Sequence, residues 1–490
     1  MDLQTSIRHL LEEVGPGQRI TRSAYDTAWL ARLAELGNPL GEQALDWLRN
    51  HQLADGSWGA AELRYCHDRL ICTLAAMAAL AWQRDERDTS RLRRAQFALE
   101  AMTQGLRSDP AGETIGFEMI LPALLAEGKQ LGIFSPQLNG ELNRFYQYRE
   151  AKLSRLPQRV ITRHVTVAFS SEMVGPDGLG LLDVENLQET NGSVAYSPSS
   201  TAFFARYVRP HDPGAMGYLQ SVAVEGAVPY TAPIDVFERG WVLWNLSLTG
   251  NLDGELLALC QPHLDFLESQ WTPGKGIPAV SNLTLIDGDT TALVYEVLLR
   301  MGRMVDVQAI LRYEQGDHFR CFELEANPSI STNIHVLSAL RTSGWGVQEP
   351  SVRKVLEYLQ RTKTLSMFWF DKWHASPYYP TAHAIIACAG YADWLVEDAV
   401  YWLEITQCRD GSWGYYRPTA EETAYCLQAL LVWQRLGKQV PHEVLKRGVA
   451  WLAEHADPPY PPLWIGKSLY CPVWVVRSAI LSALWMAQGG

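Results

Sequence analysis

The octapeptide Gln52-Leu53-Ala54-Asp55-Gly56-Ser57-Trp58-Gly59 returns near the other end of the chain as Gln407-Cys408-Arg409-Asp410-Gly411-Ser412-Trp413-Gly414. Six of the eight positions are identical, and each copy follows a Trp-Leu pair, Trp47-Leu48 and Trp402-Leu403. Asp-Gly makes a turn. The Gln amide and the Trp ring are suited to tying a helix end to its neighbour. A helix-joining turn used twice, far apart, predicts two toroids of paired helices, one toward each end of the chain.

Apolar periodicity agrees. Three- and four-residue spacing runs through Leu40–His51, Leu70–Gln83, Thr291–Met301, Ile334–Arg341, Glu421–Leu436 and Val475–Met486, while strand-like alternation is rare. Turns rich in Gly, Pro, Asp and Asn, such as Gly15-Pro16-Gly17, Pro210–Gly214 and Asp457–Pro462, separate these stretches. The expected fold class is all-α, built of stacked helical hairpins.

With 490 residues and 47% hydrophobic content, the chain can bury a large core and is no disordered segment. Its net charge of -12, without a run of Lys or Arg, argues against nucleic acid as a partner. It also means that an anionic substrate must be met by a local basic cluster or a metal ion. The eight cysteines form no C-x-x-C pair and read as reduced core thiols. MDLQTSIRHLLEE at the N-terminus lacks the order of a secretory signal, and the longest apolar stretch, Leu70 to Trp82, is too short to span a bilayer. The expectation is a cytoplasmic protein without integral membrane association.

The segment Asp287-Gly288-Asp289-Thr290-Thr291 places two carboxylates at the start of the helical run Ala292–Leu299. Residue types alone leave two readings open: a helix cap, or a carboxylate pair tuned for proton transfer. No D-D-x-x-D run and no adjacent Asp pair occurs.

The repeat resembles the QW motif of terpene cyclases, and Ser23-Ala24-Tyr25-Asp26-Thr27-Ala28-Trp29 is similar to a signature of class II diterpene cyclases. Further matching segments are Asp68-Arg69-Leu70, Ile115–Glu118, Ser197–Ala202 and Asp371-Lys372-Trp373, so the likeness runs nearly end to end. Asn186–Val194 resembles the bacterial group that includes tuberculosinyl (halimadienyl) and kolavenyl diphosphate synthases. The resemblance implies a βγ architecture of two α/α-barrels: an inserted γ domain over residues 18–230, and a β domain of residues 1–17 plus 231–490. It implies protonation of geranylgeranyl diphosphate and closure to a decalin of halimane or clerodane (kolavenyl) type with the diphosphate retained, leaving a phosphatase or transferase to act next. The alternatives are a squalene-hopene-type triterpene cyclase and a non-catalytic α/α-toroid binding module. Longer chains with many repeats characterise the first; aromatics used only as a platform would characterise the second.

Within that resemblance the acid segment is a D-x-D-T-T form of the family's D-x-D-D motif, with Asp289 the proton donor, Asp287 its neighbour and Asn282 orienting it. Protonating an alkene needs a carboxyl that keeps its proton near neutral pH, although an exposed Asp has a pKa near ~3.9. Burial and a second carboxylate both raise it. Thr290 or Thr291 hydroxyls are the expected donors to the carboxylate that forms. Thr290 stands where the commoner motif has a third Asp, so desolvation must do more of the work.

Lys372, Lys467 and Arg69 lie in segments shared with the family and are the expected diphosphate ligands, with Trp373 beside them. Glu113, near Gly116-Phe117-Glu118, is the expected ligand for Mg2+ bound with the diphosphate. Eighteen Trp and twenty Tyr supply faces that attract cations. Trp369, Phe370, Trp373, Tyr378 and Tyr379 are the aromatic candidates by position, and His374 and His383 the candidates to accept the final proton.

Overall fold

The computed structural model describes residues 2–15, 19–133, 140–156, 158, 160–323, 325 and 327–489. Each of the six predicted helical stretches is a helix, extended by up to a turn, as in Cys66–Gln83, Gly288–Arg300 and Ile330–Thr342. Among the described residues the only β-ladder of more than isolated bridges is a hairpin, Trp464–Ile465 with Leu469–Tyr470. The Pro16-Gly17 part of the expected first turn lies outside the described residues.

Six helices form a closed inner ring. In order these are Asp235–Ser247, Gly288–Arg300, Ile330–Thr342, Tyr378–Cys388, Ala420–Arg435 and Val473–Gln488, each packed on the next and the last on the first. Outer helices bridge neighbouring inner ones, and the N-terminal helix Leu3–Glu13 fills one such place between Val473–Gln488 and Gly254–Gln270. Its Leu3, Ile7, Leu10 and Leu11 stripe is buried there. A second ring closes through Ala24–Ala31, Cys66–Gln83, Phe117–Gln130, the 3-10 segment Thr166–Val174 and Pro198–Phe203. Each ring has its own core, one of residues 3–14 with 236–486, the other of residues 24–232 with Val280.

The repeated octapeptide forms the same turn twice. Gln52 Nε2 donates to the Gly56 carbonyl (2.8 Å), Ser57 donates through its amide and hydroxyl to Asp55 Oδ1, and the Trp58 amide donates to Thr73 Oγ1 (3.0 Å). The Trp58 indole N–H reaches back to the Leu48 carbonyl that ends the preceding helix (2.8 Å). Gln407, Ser412 and Trp413 repeat these bonds onto Gly411, Asp410, Thr423 and Leu403. Gly56 and Gly411 have φ of +91° and +101°, and a Cβ at either would strike a backbone carbonyl, of Arg94 or Arg447.

Three further turns keep this design after losing the letters. Gln188, Ser193 and Val194 bond to Gly192, Asn191 and Thr201 in the same pattern, Trp369 bonds to Thr381 and Leu359, and the Ile277 amide donates to Thr291 Oγ1. The recurring element is a threonine hydroxyl inside one helix that accepts the amide just after the turn. It satisfies a buried donor that no helix or strand would otherwise pair.

The hairpin couples the two rings. Lys467, with no solvent exposure, donates to Glu172 Oε1, Ser197 Oγ and Ser199 Oγ, each at 2.7 Å, all three on the second ring. The Leu469 amide donates to Asp68 Oδ1 and the Ile115 amide to the Gly466 carbonyl, both at 2.8 Å. Breaking a buried ion pair from one side leaves a buried, uncompensated charge, so Lys467→Met should destabilise the protein by about 3–5 kcal/mol. Adding Glu172→Gln should recover part of that loss, both read from urea unfolding curves.

Candidate active site

A cavity of about 730 Å³ is lined by residues of both rings, within the ~300–1,000 Å³ range of small-molecule pockets. Phe169 and Tyr230 come from the chain around the second ring; Phe237, Phe322, Tyr379, Trp464 and Tyr470 come from the first. Asp287, Asp289 and Thr290 line it at the N-terminus of the Gly288–Arg300 helix. A second cavity of about 410 Å³ shares Glu113, Glu118, Lys152 and Asn327 with the first but does not include the acids. The large cavity therefore takes in both the carboxylate pair and the charged residues around Glu113.

The two carboxylates are held differently. Asp287 is the helix cap: its Oδ1 accepts the Thr290 amide at 2.7 Å, and it is almost fully buried. Burial first, then the facing Asp289, pushes its pKa up to about 7. Asp289, one turn position on, is not used as a cap. Its Oδ1 meets His335 Nδ1 at 2.8 Å, and its side chain keeps 18% exposure where His335 keeps 1%. Burial disfavours a charged His335, but Asp289, then Glu296 and Asp371, outweigh it and hold the imidazole pKa above its ordinary value.

The cap reading thus holds for Asp287, while Asp289 is left facing the cavity with His335. The threonines take structural parts. Thr291 Oγ1 is the acceptor of the Ile277 turn and donates back to the Ile277 carbonyl (3.3 Å), so the expected hydroxyl bond from Thr291 to the acid is corrected. Thr290 approaches Asp287 through its backbone and lines the cavity. Asn282 is also corrected: it is exposed, sits at φ +63° in a turn, and does not line the cavity. The donor to the acid is His335, on the neighbouring inner helix, which the sequence reading missed because nothing near it in the chain marks it.

Among the expected diphosphate ligands, Lys372 and Trp373 line the cavity. The Lys372 ammonium lies 4.8 Å over the Trp373 ring, pairs with Glu325 and donates to the Asn327 carbonyl. Lys467 and Arg69 do not line it. Lys467 is consumed by the inter-ring cluster. Arg69 is spent on the first repeat turn, donating to Ser57 Oγ, Asp55 Oδ2 and the Ala60 carbonyl. A buried family lysine and arginine look identical in sequence to ligands, and these two are corrected to structural ties. The cations that line the cavity from the second ring are Arg107, Arg144 and Lys152.

Glu113 lines both cavities beside Glu118, and burial, then the Glu118 charge, raises its pKa. Arg144 faces Glu113 at 3.8 Å and Lys152 pairs with Glu118. Among the described residues no group of three or more His, Cys, Asp or Glu could hold a metal alone. Two neighbouring carboxylates fit Mg2+ when phosphate oxygens complete its shell.

Of the aromatic candidates, Trp373 and Tyr379 line the cavity; Trp369 belongs to a repeat turn, Tyr378 stacks on Trp402, and Phe370 meets Tyr415. His374 and His383 are buried beneath the cavity wall and do not line it. His374 pairs with Glu421 at 3.2 Å.

Two rings of paired helices enclosing such a cavity define a terpene cyclase of the βγ kind, and the comparisons narrow it. Residues 322–461 match the squalene-hopene cyclase C-terminal domain family. The chain is 45% identical to a type B diterpene cyclase of Mycobacterium tuberculosis, covering 98% of both. It is 31% identical to the labda-7,13-dienyl diphosphate synthase of Streptomyces clavuligerus, covering 97% of this chain and 91% of that one. The structure of ent-copalyl diphosphate synthase from Streptomyces platensis aligns with a TM-score of 0.78 at 30% identity, over 99% of each chain. This chain belongs to the class II diterpene cyclases and is an isomerase of that class. Among the described residues no helix is long and apolar enough to cross a membrane.

The Asp287 shift has a checkable sign. Its folded pKa, about 7, is raised above the ordinary 3.8, so its contribution is fully present below 3.8 and is lost as pH rises through 7. Asp287→Asn keeps a capping side chain without the titration. Its melting temperature relative to wild type should climb between pH 5 and pH 8.

Proposed function

We propose that the protein binds geranylgeranyl diphosphate across the large cavity, protonates its distal alkene with Asp289, and closes a bicyclic decalin of halimane or clerodane type that keeps its diphosphate. The observation that carries this reading is the carboxylate pair lining an aromatic-walled cavity that also takes in the cations Lys372, Arg107, Arg144 and Lys152. The hydrocarbon tail fits the aromatic part, and the diphosphate the charged part. The two-core packing supports residues 18–230 as an inserted domain within 1–17 plus 231–490.

Asp289 has one oxygen engaged by His335, which leaves Oδ2 to carry the transferred proton toward the substrate. The helix N-terminus and the His335 N–H both stabilise the carboxylate left behind, which makes the acid stronger at the moment of transfer. Asp287, its pKa pushed up to about 7 by burial and then by Asp289, is at most partly charged near neutral pH and opposes that ionisation the less for it. Faces of Phe237, Tyr379, Trp464 and their neighbours each attract the migrating cation by roughly 0.5–2 kcal/mol. Apolar walls keep out the water that would quench it.

The diphosphate is received by Lys372, Arg144 and Lys152, whose carboxylate partners must partly release them as the anion arrives. Mg2+ held by Glu113 and Glu118 with the diphosphate would neutralise its charge; Arg107 completes the basic wall. The product skeleton rests on the likeness of Asn186–Val194 to halimadienyl-type enzymes. A retained diphosphate makes the product a substrate for a phosphatase or a transferase.

Purified protein with geranylgeranyl diphosphate should give an isomer of unchanged mass bearing both phosphates, with pyrophosphate release at background. Stoichiometric pyrophosphate would overturn the reading. Asp289→Asn should abolish turnover while helical circular dichroism stays unchanged; a tenth of the wild-type rate remaining would remove Asp289 as the acid. Lys372→Ala should raise KM by the equivalent of about 1.5–3 kcal/mol, the value of a charge-assisted hydrogen bond.

A further inference from the structure

Beneath the acid, the interior of the first ring holds a second histidine with no assigned task. His383 is 1% exposed, and neither of its ring nitrogens has a hydrogen-bond partner in the protein. Its ring lies against Trp241, Trp244, Tyr379 and Tyr425, at centroid separations of 5.3, 4.9, 4.5 and 5.2 Å. The His335 ring is 5.9 Å away, and the nitrogen of His335 that does not face Asp289 is also buried without a partner. A buried polar atom normally has a partner, and each of these three nitrogens forgoes one. Three such atoms on two adjoining rings behind a carboxyl form a polar path inside an otherwise aromatic core.

The proposed chemistry gives that path a use. Asp289 loses its proton to the substrate in every cycle, and the cyclised cation later yields a proton elsewhere, so the acid must be recharged. The substrate cavity is then filled by product. We propose that His383, acting through His335, returns a proton to Asp289 from the interior of the ring; the proposal rests on the reading of Asp289 as the acid.

In the step itself the His335 Nδ1–H bond breaks and an O–H bond forms on Asp289 Oδ1, the electron pair staying on the ring; rotation of the carboxyl about its Cβ–Cγ bond then exchanges the two oxygens and turns the protonated one to the substrate. His335 Nε2 takes a proton from His383 through one bridging water, a contact nearly as good as a direct hydrogen bond. The proton comes from bulk water and equals the one released by the cation, so the cycle is balanced. Trp244, packed on His383, donates to Glu296 (3.0 Å), and Glu296 pairs at 2.5 Å with Arg300, which is exposed. Burial, then the adjoining His335 and His374, lower the His383 pKa well below its usual value, so the ring stays neutral and can pass a proton only by gaining one at one nitrogen as it gives one up at the other.

His383→Phe keeps the ring volume and removes the path. With enzyme in excess, the first turnover should stay within about twofold of wild type, while steady-state kcat falls about tenfold or more and its solvent deuterium isotope effect grows. His383→Gln should recover part of the steady-state rate and serves alone if the Phe variant does not fold. Loss of first and later turnovers in equal measure, or no loss in either, overturns the proposal. Wild type run alongside separates the two failures: if it releases pyrophosphate or forms no isomer, the underlying cyclase reading fails instead.

Discussion

Lys467 projects from a short hairpin of one ring into the interior of the other, and that buried contact helps to fix how the rings meet around the cavity. Its ammonium is held by Glu172, Ser197 and Ser199, while Tyr25 donates to the same Glu172 oxygen at 2.8 Å. Asp26 sits in this cluster with its pKa pushed up to about 6 by burial, against the pull of Lys467. A buried charge set of this kind contributes little net stability compared with apolar packing, but it tolerates few alternative geometries. The same hairpin carries Trp464, Ile465 and Tyr470 into the cavity wall. Positioning of the rings and shaping of the cavity are therefore one event.

The acid site depends on a division of labour at one helix end. A helix N-terminus offers amides and a positive potential, and an Asp there is usually consumed by capping. Asp287 takes that part, which frees Asp289 to face the cavity with His335 behind it. Burial then keeps Asp287 protonated up to about pH 7. Were it charged, the ionisation of its neighbour two residues on would be opposed at close range. Of the two aspartates in the D-x-D segment, one is taken up by the helix end and the other faces the cavity.

Helices, the paired-ring architecture and the placing of two carboxylates at a helix start were legible in the sequence because each is written locally, in a 3.6-residue period, a repeated turn and the D-x-D spacing itself. The degenerate turns at Val194, Ile277 and Trp369 were not, since what persists in them is a backbone amide meeting a threonine hydroxyl that lies seven to fourteen residues on. His335 was hidden for the same reason, being joined to Asp289 only by the packing of neighbouring helices. Arg69 and Lys467 misled in the opposite direction. A cation within a motif is as well explained by a buried tie as by a ligand, and only burial and partners separate them.

The separation of the two ends of the cavity also bears on why one substrate end reacts and the other does not. The carboxylate acid lines the aromatic cavity but not its charged side cavity, where Glu113, Glu118 and Lys152 lie. Ionising a diphosphate requires several metal ions held by dedicated ligands, and two carboxylates already paired with Arg144 and Lys152 cannot provide them. Groups arranged in that way neutralise and anchor an anion without pulling it off its carbon.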